Sequence, residues 1–451
     1  MIYPMRLINL SLTALLSLFA TGWVQAQSLP EAVAIALSQY PTIFAAQASQ
    51  QAAEYEVTRA QAAYWPQVSW TGTYSYYNTG SVPSTWIQSP TVSLNLWSGG
   101  RISADVDRAR AQVDASRHSV DITRDQVAQL AVQGYLNWAR SQELERSARE
   151  NHLAHQRLHA LVSKMVEADP GRSVDLEQVR ARLAGAQLML EQNKAGLAIA
   201  AERVRRMLLG VVPREPSGLD IAPAQMPASL EVALTYLGDT NPIIARQLTT
   251  LAVARANLAS AKSQHSPQIT ATYGKQTFQG TAQGDYVAQV MLTVPIFQGG
   301  ATYGATQSAI AQLEAAEYSL KEARITLQEN LRTNWINWIS AQERFKVADQ
   351  QVAHGVKTLA GYWQQYQVSR RQMNEILNVQ NELFTFQVNK ISARFDALNF
   401  RIAVLASIGR LASGYSMSMQ KADPGVSQKQ PLTKISPSGM TPNSFSVKNE
   451  P

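Results

Sequence analysis

The chain has 451 residues, none of them cysteine, and 16% of them are charged, well below the share of about 25% in an average soluble domain. The absence of cysteine excludes a disulfide framework, a thiolate metal site, a cysteine nucleophile and an acylated N-terminal cysteine. The net charge of +7, from 40 basic and 33 acidic residues without a basic block, argues against a nucleic acid as partner. Uncharged polar residues and alanine replace the missing charges, which is unusual for a soluble protein.

The N-terminal residues 1–26 predict a secretory signal peptide. Arg6 supplies a positive start, a short apolar run follows, and Val24 and Ala26 place small residues at a cleavage site before Gln27. A single membrane anchor is the weaker alternative, because the run is shorter than the roughly 20 residues that a span requires. The pattern therefore predicts an exported protein.

One unit of sequence occurs twice, over residues 27–210 and 229–415. The segment that ends in Gly99 and Gly100 returns 200 positions later, ending in Gly299 and Gly300. A linker rich in proline, residues 211–228, joins the two units. The tail, residues 416–451, is rich in Ser, Pro, Lys and Gln without periodicity, and we expect it to be disordered.

Each unit predicts the same order of elements: a helix, a β-hairpin, a long helix and a shorter helix. The first unit is expected to have its hairpin over 67–97, its long helix over 101–164 and its last helix over 173–209. The second unit is expected to have these elements over 268–297, 301–368 and 373–413. Proline before each hairpin and paired glycines after it mark the predicted joints between strands and helices, which are Pro66, Gly99, Gly100, Pro267, Gly299 and Gly300.

The strands alternate apolar residues with uncharged polar ones. In the first strand Val68, Trp70 and Tyr74 share one face, and small hydroxyl residues occupy the other. This alternation is typical of outer-membrane barrels, whereas a soluble hairpin would carry Lys and Glu on its solvent face. Four strands are too few to close a barrel, which needs about eight, and open edges are not tolerated in lipid. The chain must therefore form an oligomer, although two, three or four copies all satisfy the arithmetic.

The long helix of the first unit carries a heptad seam of small residues that includes Val106, Ala109 and Val113. Small seam residues allow helices to approach closely, as a wall of packed helices requires. An ordinary two-helix coiled coil, the alternative, prefers bulkier leucine and isoleucine.

The ordered set of elements, repeated twice over residues 29–413, resembles the TolC family of outer-membrane efflux proteins. The resemblance implies an α+β membrane protein of Gram-negative bacteria that is a homotrimer. Its 12-stranded barrel would lie among the lipids of the cell outer membrane and continue as an α-helical tunnel through the periplasm. It further implies a channel and not an enzyme, without a cofactor, that works with a periplasmic adaptor protein. An inner-membrane ABC transporter or a proton-driven pump would complete the system.

The same resemblance places a periplasmic gate where the long helices break. Tyr366 and Arg371 match the residues that tie the inner coil to its neighbour, and Asp175 matches their acidic partner. Glu375 would form a carboxylate ring around the threefold axis, where repulsion would raise its pKa. Asn378 stands at the position of a second ring, so this chain departs from a doubly acidic gate.

The turn Asp169-Pro170-Gly171-Arg172 resembles family members that serve type I protein secretion, which is the favoured interpretation. Multidrug or metal efflux with a proton-driven pump is the first alternative, and a trimeric coiled-coil surface or structural protein is the second. His152, His155 and His159 lie on one helix with metal-like spacing, but no further ligand is evident. We interpret them as a solvated polar face.

Overall fold

A computed structural model describes residues 28–76, 85–210, 212–213, 215–219, 226–277 and 284–415. The predicted signal peptide at 1–26, with its cleavage site, and the predicted disordered tail at 416–451 lie outside these residues, as do parts of the linker.

The helices follow the same order in both halves of the chain. The first half contains α1 (Leu29–Gln39), α2 (Pro41–Gln61), α3 (Arg101–Ala168) and α4 (Ser173–Met207). The second half contains α5 (Leu230–Thr235), α6 (Pro242–Ser263), α7 (Ala301–Gln367) and α8 (Met373–Ser407). Among the described residues, no helix combines the length and the apolar character needed to cross a membrane.

Each unit begins with two helices, so the prediction of one helix before each hairpin is wrong. Proline is the cause at both positions, because it lacks the amide hydrogen and favours an extended residue before it. Tyr40, which precedes Pro41, has an extended backbone with ψ of 126°. Asn241, which precedes Pro242, is also extended, and its side chain accepts a hydrogen bond of 3.0 Å from the amide of Ile243.

Several predicted boundaries also shift. The long helix α3 continues past 164 to Ala168 and stops before the turn that contains Pro170. The helices α4 and α8 end before the predicted 209 and 413, because left-handed residues follow them. Gly210 has a φ of 108° and Gly409 a φ of 69°, and a separate helical turn covers 411–415. Left-handed glycines of this kind are a common way for helices to end.

The four strands form one antiparallel sheet in the order β1-β2-β3-β4, with β1 and β4 at its edges. They are β1 (Gln67–Ser75), β2 (Thr85–Trp97), β3 (Gln268–Thr277) and β4 (Gly284–Thr293). The second hairpin ends at Thr293 and not at 297, because Pro295 has no amide hydrogen for a ladder. Tyr74 lies opposite Trp86 across the first hairpin, with ring centroids 6.4 Å apart.

The helix α3 lies at the centre of the chain and packs against α1, α2, α4, α6 and α8. The main core forms around its middle, where Tyr135 and Trp138 meet Phe395 and Leu405 of α8. The Tyr135 hydroxyl accepts a hydrogen bond of 3.1 Å from the amide of Ser217, which fixes the linker to the core. The other long helix, α7, packs chiefly against α6 and α8.

Candidate functional site: the helical tip and the strand–helix joints

The joints between strands and helices contain glycines in left-handed conformations. Gly99 and Gly100 have φ values of 60° and 90°, and Gly299 and Gly300 have nearly the same values. A Cβ atom on Gly99 would lie 2.2 Å from the Cβ of Ser266, whereas one on Gly299 would meet nothing within 4 Å. At the first joint, glycine is required both by the left-handed backbone and by the close approach of Ser266. At the second joint, it is required only by the left-handed backbone. Pro66 and Pro267 directly precede β1 and β3, at the joints that lead from helix to strand.

The far end of the molecule is a tip formed by two helix-turn-helix connections. In the first, the Asp169 carboxylate accepts a hydrogen bond of 3.1 Å from the amide of Gly171, before α4 begins. In the second, Ser369 adopts a left-handed conformation with φ of 59°. Glu375 then caps the start of α8, because its carboxylate accepts a hydrogen bond of 2.9 Å from the amide of Gln372. Side-chain caps of this kind satisfy amides that the first helical turn leaves unpaired.

A small apolar cluster, here called the tip cluster, joins four helices at this end. Its buried members come from α3, α4 and α8: Leu158, Val162, Val179, Met373, Ile376 and Leu377. From α7, Trp363 and Tyr366 pack against the cluster with their rings 5.9 Å apart and perpendicular. The Tyr366 hydroxyl lies 3.3 Å from the sulfur of Met165 on α3. The tip cluster thus holds the α7–α8 pair against the α3–α4 pair.

Arg371 occupies the turn between α7 and α8. Its Nε atom donates a 2.9 Å hydrogen bond to Gln365, and its guanidinium carbon lies 4.3 Å from the ring centroid of Tyr362. The guanidinium also forms an ion pair with Glu375, four residues later. These contacts hold α8 to the end of α7.

The Arg371–Asp175 pair expected from the resemblance is not formed within the chain, in the part that the structure describes. Arg371 instead pairs with the carboxylate of Glu375 on its own connection. Asp175 lies in the first turn of α4 and borders the same cleft of 890 Å³ as Arg371. Asp175 and Arg371 therefore line the same cleft, but within one described chain they do not form an ion pair.

The expected increase in the pKa of Glu375 is not found within one chain either. The amide of Gln372 and then the guanidinium of Arg371 hold the pKa of Glu375 below its usual value. The pKa of Arg371 is raised in turn, chiefly by its hydrogen bond to Glu375. The pair is therefore charged throughout the neutral pH range.

Asn378 links α8 to α4, because its side-chain oxygen accepts a 3.1 Å hydrogen bond from Arg182.

His155 on α3 is 2% exposed, so the interpretation of a solvated face is wrong for this histidine. Burial lowers its pKa, and the nearby charges of Arg182 and His152 lower it further. Sequence reasoning missed Arg182, since nothing in its spacing indicates a partner 196 residues away. The described ranges contain no group of three or more acidic or histidine side chains that could hold a metal ion.

Above the tip, polar contacts join α3 to α8. Both helices contribute donors and acceptors to these contacts: Arg394 donates to Glu143 at 2.9 Å, Arg140 to Ser392 at 2.9 Å, Ser147 to Gln387 at 3.2 Å and Gln380 to Asn151 at 3.3 Å. Apolar contact between the two coils is thus concentrated in the tip cluster and in the main core.

A chain with one four-stranded sheet, two open sheet edges and long paired helices that end in a polar tip is one segment of a tubular channel. The chain belongs to the Outer membrane efflux protein family, which matches residues 32–210 and 238–410.

Individual proteins agree with this membership. The chain is 22% identical over 370 residues to outer membrane efflux protein BepC of Brucella suis biovar 1, covering 79% of this chain and 80% of BepC. It is similar to the crystal structure of CusC with a TM-score of 0.74 and 18% identity, covering 85% of this chain and 92% of CusC. It is also similar to the crystal structure of the Campylobacter jejuni outer membrane channel CmeC, with a TM-score of 0.72 and 15% identity, covering 87% of this chain and 88% of CmeC.

The predicted fold class, an α+β membrane protein with a trimeric 12-stranded barrel and a helical tunnel, is confirmed. The prediction of a transport channel in the cell outer membrane with a periplasmic extension, and not an enzyme, is also confirmed. The alternative of a coiled-coil structural protein is therefore excluded.

Proposed function

We propose that this outer-membrane channel serves type I protein secretion, together with a periplasmic adaptor protein and an inner-membrane ABC transporter. The observation that supports this choice is the Asp169-Pro170-Gly171 turn, which the carboxylate of Asp169 closes through its hydrogen bond to Gly171. This turn lies at the tip, where an adaptor would approach, and resembles the turns of family members in type I secretion.

Drug or metal-ion efflux beside a proton-driven pump is the second candidate. This candidate is supported by the similarity to BepC, which is described as an efflux protein and aligns with 79% of this chain.

The tube would close by contact between the exposed borders of neighbouring chains. The edges of β1 and β4 each lack a partner strand within the described sheet, and the two strands lie on opposite sides of it. In the helical part, α2 packs chiefly against α3 alone, and α7 packs chiefly against α6 and α8, so we place α2 and α7 at the two borders of the chain. A trimer pairs β4 of one copy with β1 of the next and gives 12 strands.

The tip acts in this proposal as the periplasmic gate. Arg371 and Glu375 fix the start of α8, and Tyr366 anchors α7 to α3. Asp175 borders the cleft as the acidic partner for an Arg371 of a neighbouring chain. Asn378 ties the inner coil to α4 through Arg182, in place of a second carboxylate ring.

A deletion strain tests the choice of substrate class. Loss of a secreted surface protein from the cell exterior, with unchanged sensitivity to drugs and metal ions, is the expected result. Restoration by the plasmid-borne gene controls for effects on neighbouring genes. Increased drug or metal sensitivity with normal secretion would overturn the type I proposal in favour of the second candidate.

A further inference from the structure

A cleft of 570 Å³ lies just below the sheet, between the end of α2 and the start of α3. From the α2 side it is lined by Tyr64 and Trp65, which are 49% and 69% exposed. From the α3 side it is lined by Ser103, Asp107 and Arg110. Two large aromatic rings thus share one exposed cleft with one negative and one positive side chain.

The backbone that carries the two aromatic residues is fixed to the strands. The Gln67 side chain at the start of β1 donates a 2.8 Å hydrogen bond to the carbonyl of Ala62. The Asn95 side chain of β2 donates a 3.3 Å hydrogen bond to the carbonyl of Ala63. These hydrogen bonds fix the backbone next to Tyr64 and Trp65 at the end of the sheet.

In a single chain, the two charged side chains of the cleft form an exposed ion pair. Arg110 and Asp107 are three residues apart and approach only to 3.6 Å, with side chains 61% and 66% exposed. The Ser103 hydroxyl donates to the carbonyl of Gly100 at 2.8 Å, which leaves its oxygen as an acceptor. One anionic and one cationic group would suit a ligand that carries both an ammonium and a phosphate group.

The position of the cleft matches the lipid headgroups. Trp65 lies two residues before β1, and tryptophan and tyrosine are enriched at the membrane–water interface. Asp107 lies about 9 Å along α3 from its first residue, at 1.5 Å per residue. Because helical side chains point toward the N-terminus, Asp107 and Arg110 lean toward the membrane.

The second half of the chain provides an internal comparison. At the positions that match Tyr64 and Trp65 it has His265 and Ser266, and at those that match Asp107 and Arg110 it has Gln307 and Ile310. Among the described residues this combination of side chains therefore occurs once in each chain, which would give three such clefts in a trimer.

We propose that this cleft binds the headgroup of phosphatidylethanolamine at the periplasmic face of the outer membrane. The ammonium group lies against the Tyr64 and Trp65 rings and the carboxylate of Asp107, and the phosphate meets the guanidinium of Arg110. Aromatic faces attract such cations. A purely anionic headgroup would be attracted by Arg110 but repelled by the carboxylate of Asp107.

Native mass spectrometry of the purified full-length trimer tests the proposal with two added lipids, phosphatidylethanolamine and phosphatidylglycerol. The wild type is expected to retain up to three phosphatidylethanolamine molecules and to bind phosphatidylglycerol about tenfold more weakly. Asp107→Asn is expected to reduce this preference to about twofold or less, and Trp65→Leu to reduce retention of phosphatidylethanolamine about tenfold.

The matched control is the pair Asp114 and Arg117 on the same helix. It has the same 3.6 Å separation and similar exposure, but it lies about 10 Å further from the membrane and is not among the residues that line the cleft. Asp114→Asn is expected to leave binding unchanged.

Three outcomes of the lipid-binding measurements would overturn the proposal. They are equal binding of both lipids by the wild type, equal loss in the Asp114→Asn control, and loss of the trimer in Asp107→Asn, which would assign the cleft to subunit packing. Soluble glycerophosphoethanolamine carries the same ammonium and phosphodiester groups without acyl chains, and it is expected not to compete at equal concentration. Competition at equal concentration would overturn the assignment to a lipid.

Discussion

The two long helices, α3 and α7, occupy the same place in the repeated unit, yet they have different surroundings. They contain 68 and 67 residues and begin after the same pair of left-handed glycines. In a single chain, however, 21 residues of α3 are buried and only 7 of α7. The two copies thus share the same backbone geometry but differ in packing: α3 is the central helix of the chain, and α7 is largely exposed in a single chain.

The largest expected effect comes from two tryptophans at matching positions. Trp138 on α3 is 3% exposed and packs edge-on against Tyr135, whereas Trp338 on α7 is half-buried and packs edge-on against Trp335. We expect Trp138→Ala to cost about 3–5 kcal/mol, the usual range for a buried aromatic residue, and Trp338→Ala clearly less. Thermal unfolding of the two purified variants measures the difference. Equal losses would contradict the assignment of α3 as the central helix.

The two joints give the second prediction. Gly99→Ala is expected to cost about 2–4 kcal/mol, from left-handed strain together with overpacking against Ser266. Gly299→Ala has only the strain, about 1–2 kcal/mol, because its surroundings are open. Heat-modifiable migration of the trimer on detergent gels at increasing temperature compares them. If the Gly299→Ala trimer dissociates at the same temperature as the Gly99→Ala trimer, then overpacking against Ser266 does not contribute to the loss of stability.

The gate gives the third prediction. Arg371→Ser removes the ion pair with Glu375 and the contact with the Tyr362 ring, so conductance of the purified channel in a lipid bilayer should rise. The matched control is Arg370→Ser, since Arg370 is exposed in the same turn. Unchanged conductance in Arg371→Ser, or an equal rise in the control, would remove Arg371 from the gate.

The smallest effect concerns two histidines on the long helices. His155 on α3 is buried with a lowered pKa, so the unfolded state binds its proton more readily than the folded state. The stability that His155 contributes is therefore complete above a pH of about 6.5 and declines as the pH falls through the window below it.

Melting temperatures at pH 7.5 and 5.5 test this prediction. We expect His155→Gln to lose part of the wild-type decrease on acidification. His354→Gln should keep the whole decrease, because His354 is exposed on α7. Identical behaviour of both variants would assign the acid sensitivity to other groups.

Much of the architecture could be predicted because it depends on local patterns. Alternation in the strands, paired glycines and the repeat itself are visible in the sequence, and they place each element close to where it lies. The errors have local causes too, since Pro41 and Pro242 divide the first helices and Pro295 shortens β4. At the tip, the residues around the two turns could be located, but their partners could not. Arg371 was expected to pair with Asp175 and pairs with Glu375, four residues away.

The sequence by itself determined the class of protein, because the order of elements, their duplication and the lack of charge on the strands are properties of the chain alone. Only the tertiary structure decided which copy of each element is buried. Burial of His155, the link from Arg182 to Asn378 and the aromatic cleft at Trp65 all depend on helices far apart in the chain. Periodicity shows that a helix has an apolar side, but it does not show which helix will cover that side.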